Sequence, residues 1–310
     1  AMGGRLLGRC RCGDDCLAAR GAWMNRFLPI LTVLLVIVAL WYAAAVKLNA
    51  AWVYDQAARD GGAVSFGQLV SGTLNQDRPV LPTPHQVVTE LVKSTFGMAI
   101  TSKKSLVYHG WVTISATLLG FVIGTTAGVL LAVGIIHNKA MDLSVMPWAI
   151  ASQTIPILAI APMIIVVLNS MGIQGLVPKA IISAFLSFFP VLVGMVKGLR
   201  SPDQMQLDLL STYNASRSAV FWKLRLPSSM PYLFTSLKVG IAASLVGAIV
   251  GELPTGAVAG LGARLLSGSY YGQTVQIWAA LFAAALVAAV LVAVVGAIER
   301  RTLKRMGMAR

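Results

Sequence analysis

Long apolar runs separated by polar connections dominate the chain, and within each run the apolar residues are continuous rather than alternating. Six runs stand out, at about 27–46, 111–136, 145–168, 176–196, 232–251 and 276–297. As helices, each spans a hydrocarbon core about 30 Å thick at about 1.5 Å per residue. Strands of a membrane barrel would alternate over about ten residues instead. The pattern therefore predicts an all-α integral membrane protein with about six transmembrane helices. The first run reads as a retained helix, because Phe27 to Val46 exceeds the apolar core of a secretory signal. The Ala43-Ala44-Ala45 stretch keeps a cleaved signal peptide as the other reading.

Two connections carry more than a turn. Segment 47–84 is polar and Gly-rich and leads into His85–Phe96. There Val87, Val88, Leu91, Val92, Thr95 and Phe96 recur at helical spacing, which predicts an amphipathic helix lying along a membrane face. Segment 198–231 predicts a helix-turn-helix from Met205 to Trp222, broken near Asn214, begun by Pro202-Asp203 and closed by Leu226-Pro227 and Pro231. Its helices are too short to cross a membrane, and they leave Leu207, Leu210, Tyr213, Val220, Phe221 and Leu224 without cover. Such a face calls for a docking partner, or else folds back on the membrane surface.

Composition sharpens this reading. Of 310 residues, 57% are hydrophobic and 12% charged, about half the charged fraction of a soluble domain. The formal charge of +14 does not call for nucleic acid here, because Lys and Arg hold membrane topology from the cytoplasmic side. With the N-terminus placed inside, the inner segments hold 17 basic residues and the outer ones 8, although the outer segment 47–110 is the longest connection. An N-in, C-in arrangement follows. It gives a flexible inner tail over 1–26, a first helix with an outer segment and interfacial helix over 27–110, a core over 111–299 containing the inner loop 198–231, and a basic tail over 300–310. Cys10, Cys12 and Cys16 precede the first run with only Asp14 and Asp15 beside them and no His nearby, so no metal site is expected. Met24-Asn25-Arg26, just before the first run, reads as a natural start.

Within the runs, four features stand out. Gly120, Gly124 and Gly128 sit four apart and make a smooth helix face, for packing inside the subunit or along a dimer seam. Pro147, Pro156 and Pro162 interrupt the third run, and Ser152, Gln153 and Thr154 put polar groups beside Pro156. Broken membrane helices are tolerated where they line a solute path, or as a buried packing kink. Glu252 ends the fifth run, either as a functional group or as an interfacial acid capping the Gly-rich segment after it. The near absence of other acids argues against proton coupling. No Gly-x4-Gly-Lys-Ser/Thr loop is present, and His85, His109 and His137 are too scattered for a hydrolase.

The inner loop resembles the "EAA" loop of membrane subunits of ATP-driven ABC importers. That pattern is Glu-Ala-Ala, three residues, Gly, nine residues, Ile, one residue, Leu-Pro. Asp208-Leu209-Leu210 stands at Glu-Ala-Ala, Asn214 at Gly, and Leu224-Arg225-Leu226-Pro227 closes it. The Asp and Asn replacements are mild, while the two Leu replacements are larger. Leu81-Pro82-Thr83-Pro84, the Gly row, the Pro-rich third run and Glu252 with Gly260-Leu261-Gly262 are similar to elements of one subfamily. That subfamily imports sulfonates, taurine, nitrate and related solutes, with relatives for pyrimidine thiamine precursors and riboflavin. The resemblance implies a non-enzymatic, type I-like permease core in the bacterial inner membrane, carrying a small solute of either kind. It implies partnership with a second copy of itself, two ATPase subunits that bind ATP and Mg, and a periplasmic or lipid-anchored solute-binding protein. The chain itself would bind no cofactor. ATPase docking would fall to Asp208, Leu209, Leu210, Tyr213, Asn214, Ala215, Phe221, Leu226 and Pro227. A stand-alone secondary transporter or channel is the competing reading, and a membrane enzyme or scaffold a third. A lone carrier needs no apolar docking helix.

Overall fold

The computed structural model describes residues 14–61, 64–102, 104–254 and 259–308, with the backbone alone for 14–27. Cys10 and Cys12, and the side chain of Cys16, lie outside the described residues. Two compact units divide the chain, residues 1–86 and 87–310. The described elements are helical: α1 (Asp14–Arg59), α2 (Phe66–Leu74), α3 (Pro84–Phe96), α4 (Leu106–His137), α5 (Lys139–Ser152), α6 (Ile157–Ser170) and α7 (Leu176–Leu199), then α8 (Gln204–Thr212), α9 (Arg217–Val220), a π turn (Phe221–Arg225), α10 (Leu226–Glu252), α11 (Leu261–Tyr270) and α12 (Thr274–Arg305).

Among the described residues, five helices are long and apolar enough to cross a membrane: Leu28–Arg59, Leu106–His137, Leu176–Leu199, Arg217–Glu252 and Thr274–Arg305. The third run is not one straight span. It is the pair α5 and α6, bent by 98°, and it makes a sixth span only if the pair crosses as a unit. The break falls at Pro156, which caps α6, while Pro147 and Pro162 sit inside helices.

In the first unit, α1 continues well past the expected end at Val46, to Arg59, and α2 occupies part of the polar, Gly-rich segment 47–84. Fully buried Asn49 sets the register. Its Oδ1 accepts the N–H groups of Val80 at 2.8 Å and Leu81 at 3.2 Å, and its Nδ2 donates to the Leu81 carbonyl at 3.0 Å. Trp41 Nε1 donates to the Pro82 carbonyl at 3.0 Å. The Leu81-Pro82-Thr83-Pro84 element is thus a turn pinned to α1. Leu28 to Leu40 expose large apolar side chains on every face, as a helix surrounded by lipid does.

In the second unit, α7 lies between α4 and α10. A Cβ on Gly124 would stand 2.7 Å from the Ala184 carbonyl, and one on Gly128 2.8 Å from that of Phe188. The face of Gly120, Gly124 and Gly128 is therefore filled by α7. Lipid offers no hydrophobic drive for helix association, so close backbone approach and hydrogen bonds supply it. Three helices meet at buried hydroxyls: Ser183 Oγ lies 2.6 Å from Ser244 Oγ, and Ser244 donates to the Thr117 carbonyl at 2.9 Å. Of the amphipathic stripe expected on α3, Val87 is buried and Leu91 packs beside Leu106 and Leu261, while Val88, Val92 and Phe96 form a separate exposed apolar face.

The fifth span begins far earlier than expected. Helix runs unbroken from Arg217 through the π turn into α10 and on to Glu252, passing Pro227 and Pro231. Pro227 was expected to close the loop, and it does not. A proline lacks an N–H and collides with the carbonyl four residues back. The π turn relieves this by widening the helix just before it, with the Leu226 N–H bonded to the Phe221 carbonyl.

Candidate functional site

Two places gather buried polar groups or uncovered apolar ones. The first lies where α4 and α7 begin and α10 ends. His109 and Thr113 share one face of α4, a turn apart. Glu252 is fully buried. Its carboxylate oxygens lie 3.0 and 2.9 Å from the Thr113 hydroxyl, and Oε2 accepts the Gly262 N–H at 2.9 Å. Lys179 Nζ stands 3.7 Å from Oε1 and donates to the Ala259 carbonyl at 2.9 Å. Thr113 Oγ1 also accepts the Leu261 N–H at 2.9 Å, and His109 Nδ1 accepts that of Gly260 at 3.0 Å. All three N–H groups of Gly260-Leu261-Gly262 are thus taken up by side chains from other elements. The carboxylate sits at the N-terminus of α11, where backbone dipoles favour negative charge. Gly260 has φ +129°, and a Cβ there would run into the Glu252 carboxylate.

A cavity of about 710 Å³ opens beside this cluster, lined among others by Tyr108, Trp111, Ser115, Asn169, Gln174 and Lys179. Of the residues expected along the solute path, Ser152, Gln153, Thr154, Pro156 and Glu252, none is among its lining residues. Ser152 is buried and donates to the Ala149 carbonyl at 2.7 Å, while Gln153, Thr154 and Pro156 are exposed at the break between α5 and α6. Sequence reasoning found Glu252 and the Gly-Leu-Gly segment but missed Thr113, His109 and Lys179. Their only signal was a Thr and a His one turn apart on an apolar helix.

The second place is α8. Gln206 Oε1 accepts the Asp203 N–H at 3.3 Å and starts the helix. Asn214 ends it at φ 51°, with the Ala215 N–H bonded to the Leu210 carbonyl at 3.1 Å and the Asn214 N–H to that of Ser211 at 2.9 Å. This is a Schellman stop with Asn in place of Gly. Met205, Leu209 and Tyr213 fall four apart, 78%, 57% and 75% exposed, and form an apolar stripe along α8. Trp222, in the π turn, is separately exposed at 63%. The loop residues divide accordingly. Asp208 is exposed; Leu210 and Ala215 are half-buried. Phe221, expected on the docking face, is buried in a core with Leu192, Met195 and Leu199, its ring 5.1 Å from that of His137. Leu226 packs against the same core and Pro227 is half-buried. The helical phase makes Leu209, not Leu210, the outward residue. Met205 was missed as a member of the face. Among the described residues no cluster of His, Cys, Asp and Glu suits a metal.

Residues 124–307 match the family described as the inner membrane component of binding-protein-dependent transport systems. A riboflavin transport system permease protein of Chloroflexus aurantiacus is 31% identical over 71% of this chain and 78% of its own length. A formylaminopyrimidine transport permease protein of Halalkalibacterium halodurans is 29% identical over 59% of this chain and 68% of its own length. A putative aliphatic sulfonates transport permease protein of Bacillus subtilis is 25% identical over 78% and 83%. With helices of this length and polarity and a match over most of its core, the chain belongs to the inner membrane component family of binding-protein-dependent ABC importers, as a multi-pass permease subunit that is not itself an enzyme.

Proposed function

We propose that this permease carries a small solute inward by alternating access, with α8 as the docking helix for a separate ATPase and the cavity beside Glu252 as the outer mouth. The observation that carries the proposal is the uncovered stripe of Met205, Leu209 and Tyr213 along α8 and its C-cap, in a segment that leads through the π turn into a span. Three large apolar side chains in water call for a protein cover. Orientation is N-in and C-in, by the excess of basic residues at the ends of α7 and α12 and in the segment around α8. A second copy of the chain and two ATPase copies complete the assembly. The break at Ser152–Pro156 then faces the partner copy or the water-filled path, where irregular backbone is tolerated. A solute-binding protein delivers at the mouth. Lys179, the one charged residue among the described residues lining that mouth, has Glu252 at 3.7 Å. The cargo is of the kinds relatives carry, a sulfonate- or nitrate-like anion or a pyrimidine- or riboflavin-like compound.

The test is co-purification with the ATPase and solute-stimulated ATP hydrolysis in proteoliposomes. Leu209→Asp and Tyr213→Asp should abolish association while leaving the purified permease as heat-stable as the wild type. Retained association and hydrolysis in both variants would refute α8 as the docking element.

A further inference from the structure

We propose that a groove between α5, α7 and α10, at the end of the bundle where α7 closes, holds the phosphate headgroup of an anionic membrane lipid. The groove has a volume of about 480 Å³. Met146, Val193 and Val196 make its apolar part, and Lys197, Arg200 and Tyr232 its polar part. The division follows the chain: Val193 and Val196 belong to the apolar span, while Lys197 lies in its last turn and Arg200 caps its end. Apolar wall and basic rim therefore sit as acyl chain and headgroup do across a membrane–water interface. Tyr232 adds an aromatic ring with a polar tip, the side chain suited to that depth.

The rim consists of donors. Lys197 is exposed and has no ion-pair partner among the described residues. Arg200 donates through Nη2 to Asp142 Oδ2 at 2.7 Å, and its side chain remains 48% exposed. A guanidinium has five N–H donors, so others stay available to a phosphate. The Tyr232 hydroxyl has no hydrogen bond within the described protein, and the residue is 38% exposed. Among the described residues no carboxylate lines the groove, and Asp142, the ion-pair partner of Arg200, offsets that charge. The groove keeps one uncompensated positive charge, that of Lys197, with neutral donors around it. A lipid phosphate without its own ammonium matches this. A zwitterionic headgroup brings a cation that competes with Lys197. Basic pockets between membrane helices take anionic headgroups in the same way. The leaflet follows from the proposed orientation, but the headgroup chemistry does not.

The full chain, purified in detergent and exposed to equal phosphatidylglycerol and phosphatidylcholine, tests this by native mass spectrometry of retained lipid. The wild type should retain phosphatidylglycerol preferentially. Lys197→Gln should weaken that retention about fivefold, the effect of one basic residue near an anionic headgroup. Lys197→Arg should restore it, and Tyr232→Phe should weaken it less. Lys223→Gln removes an exposed charge outside the groove and should change nothing. Equal retention of the two lipids overturns the proposal, as does wild-type retention in Lys197→Gln. A loss in Lys223→Gln as large as in Lys197→Gln overturns it in favour of diffuse attraction. Full displacement by glycerol 3-phosphate assigns the groove to a soluble phosphate ester instead.

Discussion

Glu252 shares its two oxygens among donors from three separate stretches of chain: Thr113 on α4, Lys179 on α7 and the backbone of Gly262. A buried carboxylate is tolerated only on such terms, and removing partners from a buried pair costs about 3–5 kcal/mol. Gly260 makes the arrangement possible twice over, through its positive φ and through the absence of a Cβ where the carboxylate sits. Gly260→Ala should therefore destabilise the purified chain by about 3 kcal/mol or more. Glu252→Gln keeps an acceptor for Gly262 and should cost less. Thermal unfolding in detergent ranks the two, and a Gly260→Ala protein as stable as the wild type would contradict this placement of the carboxylate.

At the scale of elements, the path from α8 to α10 is the informative one. The π turn inserts one residue into an otherwise continuous helix, so removing it would rotate everything before it by about 100° relative to α10. The docking stripe on α8 would then point elsewhere. Pro227→Ala restores the missing N–H and should let the turn relax to α-helix. Solute uptake per ATP hydrolysed should fall while ATPase association is kept. If uptake and hydrolysis fall together, or neither changes, the π turn is a packing accommodation and sets no angle. The runs that became α4, α7 and α12 were legible because lipid-facing helices need unbroken apolarity. The Schellman stop at Asn214 was legible too, since few residues other than Gly accept its φ. The π turn was not, because Leu226-Pro227 and Pro231 are ordinary stop signals and the burial of Phe221 against α7 is a tertiary contact that no local pattern marks. Leu209 and Leu210 are indistinguishable by composition; which one faces outward depends on where Gln206 starts the helix. Thr113 stands 139 residues before Glu252 in the chain, and only the approach of α4 to α7 through small side chains brings Thr113 and Lys179 to it.

For the molecule as a whole, the orientation has a direct check. In a background lacking Cys10, Cys12 and Cys16, single cysteines at the exposed positions Ser65 and Gln174 should react with an impermeant thiol reagent in intact cells. One at Ser218 should react only after permeabilisation. The opposite pattern would invert the topology and move the cavity to the cytoplasmic face. The two clamps in the chain also differ in how far they reach. Asn49 binds backbone 31 and 32 residues ahead of it, whereas Thr113 and His109 meet partners 139 and 151 residues away. During synthesis, the Asn49 clamp can close as soon as Leu81 has left the ribosome. The Glu252 cluster cannot close until Gly262 has emerged and α4, α7 and α10 are all in the bilayer. Until then Glu252 stands in the chain without its partners, so the bundle cannot reach its final packing one helix at a time.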